Sequence, residues 1–335
     1  MADYEEKNVA RHCTEHPEAR WFPAAGMGLF VHWGIHSVAG LQPSWAMIRD
    51  YPHADTSVYP RERYYALARQ FAPERYEPER WLAAAKSAGF EYAVLTTKHH
   101  DGYSLWPSEY AVLGTHTCLD GRDLVEPFVQ ACRNCGLKVG LYFSFGDWAW
   151  PGFPMKDCDF DHQRRGQHPP ISEEEDQRQF DAFYAFATSQ LRELLTRYGR
   201  IDLLWFDGVG WRDRSPEELR ALETIQWVRS IQPHIVVNNR YGRVGDYVTP
   251  ECKMPEQAPD QWWESCTVTN GHWGYNRGQP LPDVEWWVEY RDRCNAWGGN
   301  FLPNVGPAPD GTMPDDFYDL CQQLARHPRA DMPSG

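Results

Sequence analysis

The chain has 335 residues, of which 47 are acidic and 33 are basic, so its formal net charge at pH 7 is −14. This acidic balance, without a basic stripe, argues against nucleic acids and anionic membranes as partners. The first ten residues lack the apolar core of a signal peptide, and no apolar run is long enough to span a bilayer. The nine cysteines form no dense disulfide framework. We therefore expect a cytoplasmic protein with reduced thiols.

Short apolar runs alternate with helix-like segments along the chain. The runs that predict strands are Gly28–Val31, Tyr92–Thr96, Lys138–Phe143, Ile201–Phe206, Ile235–Asn238 and Asn300–Val305. The helix-like segments are Pro78–Ala88, Arg122–Cys135, Glu173–Tyr198, Ser215–Ile231, Asp283–Ala296 and Pro314–Arg326. At least five alternations, without a dinucleotide or P-loop glycine motif, favour an α/β fold with a parallel sheet. We predict one (β/α)8-like TIM barrel, irregular or lacking a strand, followed by a loose tail at His327–Gly335.

Polar residues follow these predicted strands where each strand ends. Barrel geometry would gather such residues around one mouth. Asp207 stands out because it ends the apolar run LLWF, and a buried carboxylate is costly unless it is paired or used. It either caps a turn or lines a site. The strand-end residues are His32, Trp33, Lys98, His99, His100, Asp101, Asp147, Asp207, Asn239 and Arg240, with Glu251 and Glu264 further along the chain.

Paired carboxylates favour glycoside hydrolysis, which needs a nucleophile or base and a proton donor. Asp207, Glu251 and Glu264 can supply both roles. Many of the 16 tryptophans lie beside polar residues, and indole faces there suit flat sugar rings as well as core packing. A catalytic metal is the competing chemistry. His99 and His100 are adjacent, and neighbouring strand residues point to opposite faces, so they are poor joint ligands and we expect no metal site.

Six stretches of the chain resemble the α-L-fucosidases of glycoside hydrolase family 29. They are WFPAAGMGLFVHWG from Trp21, YAVLTTKHHDGYSLWPS from Tyr92, LLWFDG from Leu203, NNRYG from Asn238, WESCTVTNGHWGYN from Trp263 and GGNFLPNVGPAPDGTMP from Gly298. The resemblance implies a retaining exo-hydrolase that removes terminal α-L-fucose from glycoconjugates or oligosaccharides through a covalent fucosyl-enzyme. It implies a fucosylated glycan as the partner and no cofactor.

The same resemblance implies a role for each matching residue. The nucleophile matches Asp207. The predicted substrate-binding residues are His32, Trp45, His99, His100, Tyr142, Trp205, Arg240 and Trp273. Two departures matter. Ser44 stands where many relatives have a glutamate that holds sugar hydroxyls. Most relatives also carry a β-sandwich after the barrel, whereas residues 1–335 here are expected to form a single catalytic domain.

The acid/base is the least decided role. Glu251 lies in the loop segment TPE after the fifth predicted strand, whereas Glu264 leads directly into the strand-like run Ser265–Val268. A loop residue suits a proton donor that meets variable leaving groups, and a strand residue suits fixed contacts. We therefore assign the role to Glu251, with Glu264 as the alternative. Two other functions stay open: a non-catalytic fucose-binding barrel and a metal-dependent barrel hydrolase.

Overall fold

A curved sheet of seven parallel strands organises the protein. The computed structural model describes residues 10–48, 59–154, 171–208, 211 and 214–329. The strand order is β5-β4-β3-β2-β1-β7-β6, with neighbouring strands parallel throughout. The strands are β1 (Gly28–Val31), β2 (Tyr92–Lys98), β3 (Lys138–Ser144), β4 (Leu203–Asp207), β5 (Val236–Val237), β6 (Glu264–Val268) and β7 (Asn300–Asn304).

The segment at Tyr247 and Val248 spans the gap between the two edge strands. Tyr247 bridges Asn238, just after β5, and Val248 bridges Trp263, just before β6. The sheet therefore curls into an irregular (β/α)8-like barrel in which an irregular segment stands where a regular strand would close the ring. This confirms the predicted fold class. The predicted strand at Ile235–Asn238 is reduced to Val236–Val237.

Helices cover the outer face of the barrel. Their apolar faces are buried, as in α4, where Val125, Phe128, Val129 and Cys132 recur at helical spacing. No helix among the described residues is long and apolar enough to cross a membrane. The helices are α1 (Arg61–Ala66), α2 (Pro78–Ser87), α3 (Thr115–Cys118), α4 (Val125–Asn134), α5 (Glu173–Arg197), α6 (Ala221–Ile231), α7 (Val284–Ala296) and α8 (Asp315–Leu324). Tyr103–Ser104 and Leu113–Gly114 form a separate two-stranded pair.

The predicted helix start at Ser215 is wrong, because α6 begins only at Ala221. Ser215 and Glu218 do exchange the hydrogen bonds of a helix-start motif, each side chain accepting from the other residue's backbone N–H. The turn is interrupted at Arg220, whose φ of 56° is left-handed. A regular helix can therefore start only after it. The predicted tail lies partly outside the described residues, from position 330 onward.

Alternation along β4 explains why Asp207 ends an apolar run. Leu203 and Trp205 pack in the barrel interior, whereas Leu204 and Phe206 belong to the outer core beneath the helices. Both faces of the strand are buried, so nearly every position is apolar. Asp207 follows the inward-facing series at the carboxyl end of the strand. The strand thereby delivers a carboxylate to the interior side of the barrel mouth.

Candidate active site

A cavity of about 670 Å³ opens at the carboxyl ends of the strands. The sequence predicted ten catalytic or substrate-binding residues, with Glu264 as an alternative acid/base. All ten line this one cavity, and Glu264 does not. They are His32, Trp45, His99, His100, Tyr142, Trp205, Asp207, Arg240, Glu251 and Trp273. The strand exits of a parallel barrel therefore meet at a single site, as the sequence predicted.

Asp207 is held by three neighbours while remaining open to the cavity. Its side chain is 24% exposed. The Tyr142 hydroxyl donates to Oδ2 at 3.0 Å, Arg240 Nη1 donates to Oδ1 at 3.3 Å, and His100 Nε2 lies 3.9 Å from Oδ2. Burial alone would raise the pKa of Asp207, but Arg240, His100, and hydrogen bonds from the Gly208 backbone and Tyr142 together lower it below its ordinary value. The carboxylate is therefore ionised at neutral pH, as a nucleophile must be.

Arg240 joins the two candidate catalytic carboxylates. Its Nη2 donates to Glu251 Oε2 at 2.7 Å while Nη1 contacts Asp207. Its Nε donates to Thr249 Oγ1 at 2.7 Å, and its guanidinium lies 4.6 Å from the Trp205 ring centroid. Two carboxylates on one guanidinium are close neighbours, and a retaining glycosidase needs two carboxyl groups near each other.

Glu264 lies beneath this site rather than in it. The side chain is fully buried and does not line the cavity. Its carboxylate accepts hydrogen bonds from the Tyr92 hydroxyl and from Trp205 Nε1, the latter at 2.9 Å. Burial raises the pKa of Glu264 to about 7, although the hydrogen bonds oppose the shift. The geometry favours Glu251 as acid/base and gives Glu264 the fixed contacts that suit a strand residue.

Each cavity histidine has one ring nitrogen anchored by a protein oxygen. His32 Nδ1 pairs with Asn304 Oδ1 at 2.7 Å, His99 Nδ1 with Ser44 Oγ at 2.6 Å, and His100 Nδ1 with Ser144 Oγ at 2.7 Å. Burial lowers the pKa of His32 to about 3 and that of His99 well below its ordinary value. Both rings are neutral at pH 7. No residue in the described part of the chain hydrogen-bonds the second ring nitrogen of His32 or His99. These nitrogens can therefore form hydrogen bonds with hydroxyl groups of a ligand.

Comparison with known proteins connects this arrangement to a family. The family model described as Alpha-L-fucosidase matches residues 2–330 of the chain. The chain belongs to the alpha-L-fucosidase family.

Curated and structural relatives within the family share most of this chain. It is 33% identical to tissue alpha-L-fucosidase of Rattus norvegicus over 90% of its length, and it spans 66%, about two thirds, of that protein. Alpha-L-fucosidase isoenzyme 1 of Paenibacillus thiaminolyticus is 30% identical with a TM-score of 0.79, over 93% of this chain and 75% of that one. Alpha-L-fucosidase AlfC is 25% identical with a TM-score of 0.73, over 92% of this chain and 98% of that one.

Ser44, which stands where many relatives have a glutamate, does not face the cavity. The side chain is buried and does not line the cavity. Its hydroxyl pairs with His99 Nδ1 and donates to Asp101 Oδ2 at 3.0 Å. The Tyr64 hydroxyl donates to Asp101 Oδ2 at 2.8 Å and accepts a hydrogen bond from the Ser44 backbone N–H at 2.7 Å. In this member of the fucosidase family, Ser44 and Asp101 orient His99 from below.

One sequence argument about His99 and His100 is wrong. We expected these neighbours to point to opposite faces of a strand, yet their ring centroids lie 4.1 Å apart. The reason is that β2 ends at Lys98, so strand alternation does not apply to them. Donor atoms of His99, His100 and Asp207 all lie within 4.8 Å of one another. These donor atoms are therefore close enough to share a metal ion, although Asp207 is already engaged by Tyr142 and Arg240.

Several cavity residues were missed by sequence reasoning. Gln42 lines the cavity and accepts a hydrogen bond from the Trp273 backbone at 2.9 Å. Three basic residues, Arg214, Arg243 and Lys253, line it as well. They lie in loops after the strands rather than directly at strand ends, so strand-exit reasoning did not select them. The only sequence signal for Lys253 and Arg243 is that they lie two and three residues after Glu251 and Arg240.

Proposed function

We propose that this member of the fucosidase family is a retaining exo-α-L-fucosidase that hydrolyses terminal α-L-fucose from fucosylated glycans or oligosaccharides. The observation that carries the proposal is the shared guanidinium: Arg240 contacts both Asp207, an ionised carboxylate at the cavity floor, and Glu251, a carboxylate at its exposed side. The chain spans about two thirds of the curated relatives' length. The activity is therefore assigned to this barrel on the strength of its own residues.

In the first step, an Asp207 carboxylate oxygen bonds to the anomeric carbon of fucose as the glycosidic C–O bond breaks. Glu251 donates its proton to the departing oxygen. In the second step, Glu251 takes a proton from water, the water oxygen bonds to the anomeric carbon, and the ester to Asp207 breaks. Arg240 and Tyr142 keep the nucleophile ionised and oriented, and they receive its returning charge when the ester breaks.

The pocket wall supplies neutral hydrogen-bonding groups and aromatic surface. His32 and His99 each present a ring nitrogen that no residue described by the structure hydrogen-bonds, and Trp273 packs against His32 with ring centroids 4.9 Å apart. Fucose offers three ring hydroxyls and a methyl group, so a wall of this kind should reject sugars that leave its buried polar atoms unpaired. Alpha-L-fucosidase AlfC has been solved in complex with Fuca(1,6)GlcNAc. A fucosylated sugar is the corresponding ligand class for this chain.

The decisive experiment is trapping of the covalent intermediate. An activated 2-fluoro-fucoside should inactivate the enzyme and add one fluorofucosyl unit to the peptide that contains Asp207, as read by mass spectrometry. The Asp207→Asn variant is the matched control and should stay unlabelled. Turnover of an aryl α-L-fucoside separates the enzyme from a non-catalytic fucose-binding barrel. Labelling of another residue would refute the role of Asp207.

A metal-dependent hydrolase is the second candidate, because the donor atoms of His99, His100 and Asp207 are close enough to share an ion. A cation there would have to displace Arg240 from Asp207 or share that carboxylate with it. Full aryl fucosidase activity after exhaustive chelation would exclude this candidate, and loss of activity that zinc restores would favour it.

A further inference from the structure

The hydrogen bond that anchors a cavity histidine fixes which of its ring nitrogens carries the proton. A neutral imidazole has one N–H nitrogen, which donates, and one bare nitrogen, which accepts. The ring is therefore either the Nδ1–H or the Nε2–H tautomer, and the partner of one nitrogen decides between them. His32 and His99 are neutral at pH 7, because burial lowers the pKa of both rings. The atoms around Nδ1 thus determine what Nε2 offers to a ligand.

Asn304 can only accept a hydrogen bond from the His32 ring. Its amide Nδ2 donates to the Trp273 carbonyl at 2.7 Å, and its Oδ1 accepts from the His32 backbone N–H at 3.2 Å. These two backbone partners, one an acceptor and one a donor, fix the orientation of the amide group. The same Oδ1 lies 2.7 Å from His32 Nδ1, so Nδ1 carries the proton of this bond. His32 is therefore the Nδ1–H tautomer, and its Nε2 has a lone pair.

Ser44 imposes the same tautomer on His99. Its Oγ accepts from the Asp101 backbone N–H at 2.8 Å and donates to Asp101 Oδ2 at 3.0 Å. Burial raises the pKa of Asp101, but hydrogen bonds to its carboxylate from a backbone N–H and two hydroxyl groups oppose that rise. Because its single proton goes to this carboxylate, the Ser44 hydroxyl can only accept at its third contact, His99 Nδ1 at 2.6 Å. His99 therefore also has its proton on Nδ1.

His100 is anchored in the same direction but faces the nucleophile. The Ser144 hydroxyl donates to the Gly146 carbonyl at 2.6 Å, so it accepts from His100 Nδ1 at 2.7 Å. His100 Nε2 lies 3.9 Å from Asp207 Oδ2. The nitrogens on the pocket wall away from Asp207 are Nε2 of the other two histidines, whose ring centroids lie 5.8 Å apart.

We propose that Asn304 and Ser44 are positioning residues that fix two cavity histidines as hydrogen-bond acceptors, so that the pocket selects fucose hydroxyl groups as donors. Asn304 acts on His32, and Ser44 acts on His99. A hydroxyl group has a single proton, so the two Nε2 atoms need two different hydroxyls. The pocket thus distinguishes a hydroxyl from a group that can only accept, such as fluorine. The proposal rests on the proposed fucosidase function and deepens it by giving the direction of these hydrogen bonds.

The first test reads the tautomers in the free enzyme. In protein labelled with 15N-histidine, a protonated and a bare ring nitrogen differ widely in 15N chemical shift, and substitution of single histidines assigns the signals. His32 and His99 should each show a protonated Nδ1 and a bare Nε2 at pH 7. Ser44→Ala removes the acceptor and should let the His99 proton exchange between both nitrogens. Ser37→Ala is the matched control, because Ser37 is equally buried and its hydroxyl has no hydrogen-bond partner among the described residues. It should leave both rings unchanged.

The second test compares L-fucose with its 2-, 3- and 4-deoxy analogues and with the matching deoxyfluoro analogues. Titration of the same histidine signals gives the dissociation constants. At two of the three positions, removal of the hydroxyl should weaken binding roughly five- to a hundredfold, because a buried acceptor loses its donor. Fluorine at these positions should bind more weakly than hydrogen, because its lone pairs face the lone pair of Nε2. In Ser44→Ala, one of the two positions should lose this preference for hydrogen over fluorine.

A proton on Nε2 of either ring in the native enzyme would overturn the proposal, as would this order of affinities at fewer than two positions. A His99 tautomer that persists in Ser44→Ala would refute the role of Ser44. Neither measurement needs turnover. If L-fucose binds but no fucoside is hydrolysed, the aryl fucoside included, the proposed function has failed while the hydrogen-bond directions stand. If L-fucose leaves the histidine signals unchanged, both have failed.

Discussion

Replacing Glu251 and Glu264 separately by glutamine should give opposite patterns of activity and stability. Glutamine keeps the shape of the side chain but cannot donate an acidic proton. Glu251 has an exposed side chain (44%) that contacts Arg240, whereas Glu264 is fully buried and accepts hydrogen bonds from Tyr92 and Trp205. The first change should act mainly on catalysis and the second mainly on the fold and on the placement of Trp205.

The expected stability changes follow from these contacts. An exposed ion pair such as Glu251–Arg240 contributes at most about 1 kcal/mol, so Glu251→Gln should hardly change the free energy of unfolding. In Glu264→Gln, one acceptor oxygen replaces two, so a buried donor loses its partner or must rearrange, at about 1–3 kcal/mol. Glu264→Ala removes both acceptors and should be destabilised by about 2–6 kcal/mol.

The assay combines urea titration with two substrates of different leaving-group ability. Without its acid, Glu251→Gln should lose about 10²- to 10⁴-fold in kcat/KM on a fucosyl disaccharide but far less on a nitrophenyl fucoside, whose leaving group needs little protonation. Its pH profile should also lose the alkaline limb. Glu264→Gln should affect both substrates alike. If instead Glu264→Gln shows the substrate-selective loss at native stability and Glu251→Gln does not, the two assignments must be exchanged.

Four further outcomes are expected. Asp207→Gly should lose most activity and, with added azide, should form β-fucosyl azide, and near-native turnover by this variant would contradict a nucleophilic Asp207. The double variant His99→Ala, His100→Ala should lower kcat/KM sharply, whereas unchanged kinetics would refute the predicted pocket. Chelators should leave aryl fucosidase activity intact, and a loss that metal restores would contradict this. Burial raises the pKa of Glu264 from 4.5 to about 7, so between these pH values the folded state holds a proton that the unfolded chain releases. The free energy of unfolding should therefore fall by about 3 kcal/mol as the pH rises from 4.5 past 7. Urea titrations at several pH values should show this fall, and Glu264→Gln should remove it.

The predicted barrel and most of the predicted site depended on the same physical fact. A strand covered on both faces is apolar until it leaves the sheet, so the first polar residues after each run mark the strand's carboxyl end. Parallel strands bring these ends together, which is why His32, His99, Asp207 and Arg240 could be placed at one mouth before any contact was known. Their shared cavity confirms that placement.

Other parts depended on local backbone geometry that residue types alone do not specify. Arg220 interrupts the predicted start of α6 with a left-handed conformation, which glycine usually supplies. Ser44 has a similarly left-handed φ of 55° and turns its hydroxyl toward His99 and Asp101 instead of the cavity. Arg243 and Cys252 are likewise left-handed and lie at or beside the cavity. The conformation of these loops determines which side chains line the entrance of the cavity, and the sequence pattern does not predict that conformation.

Depth along the barrel separates the two candidate acids more sharply than their sequence motifs do. Asp207 is the last residue of β4, at the carboxyl end where the cavity opens, whereas Glu264 is the first residue of β6 and has the rest of that strand between it and the strand's carboxyl end. Glu251 bridges Cys266, two residues further along β6 than Glu264. At about 3.3 Å per residue, Glu251 is therefore aligned about 7 Å nearer the mouth. A proton donor must meet the glycosidic oxygen above Asp207, and this offset gives Glu251 that position while Trp205 covers Glu264.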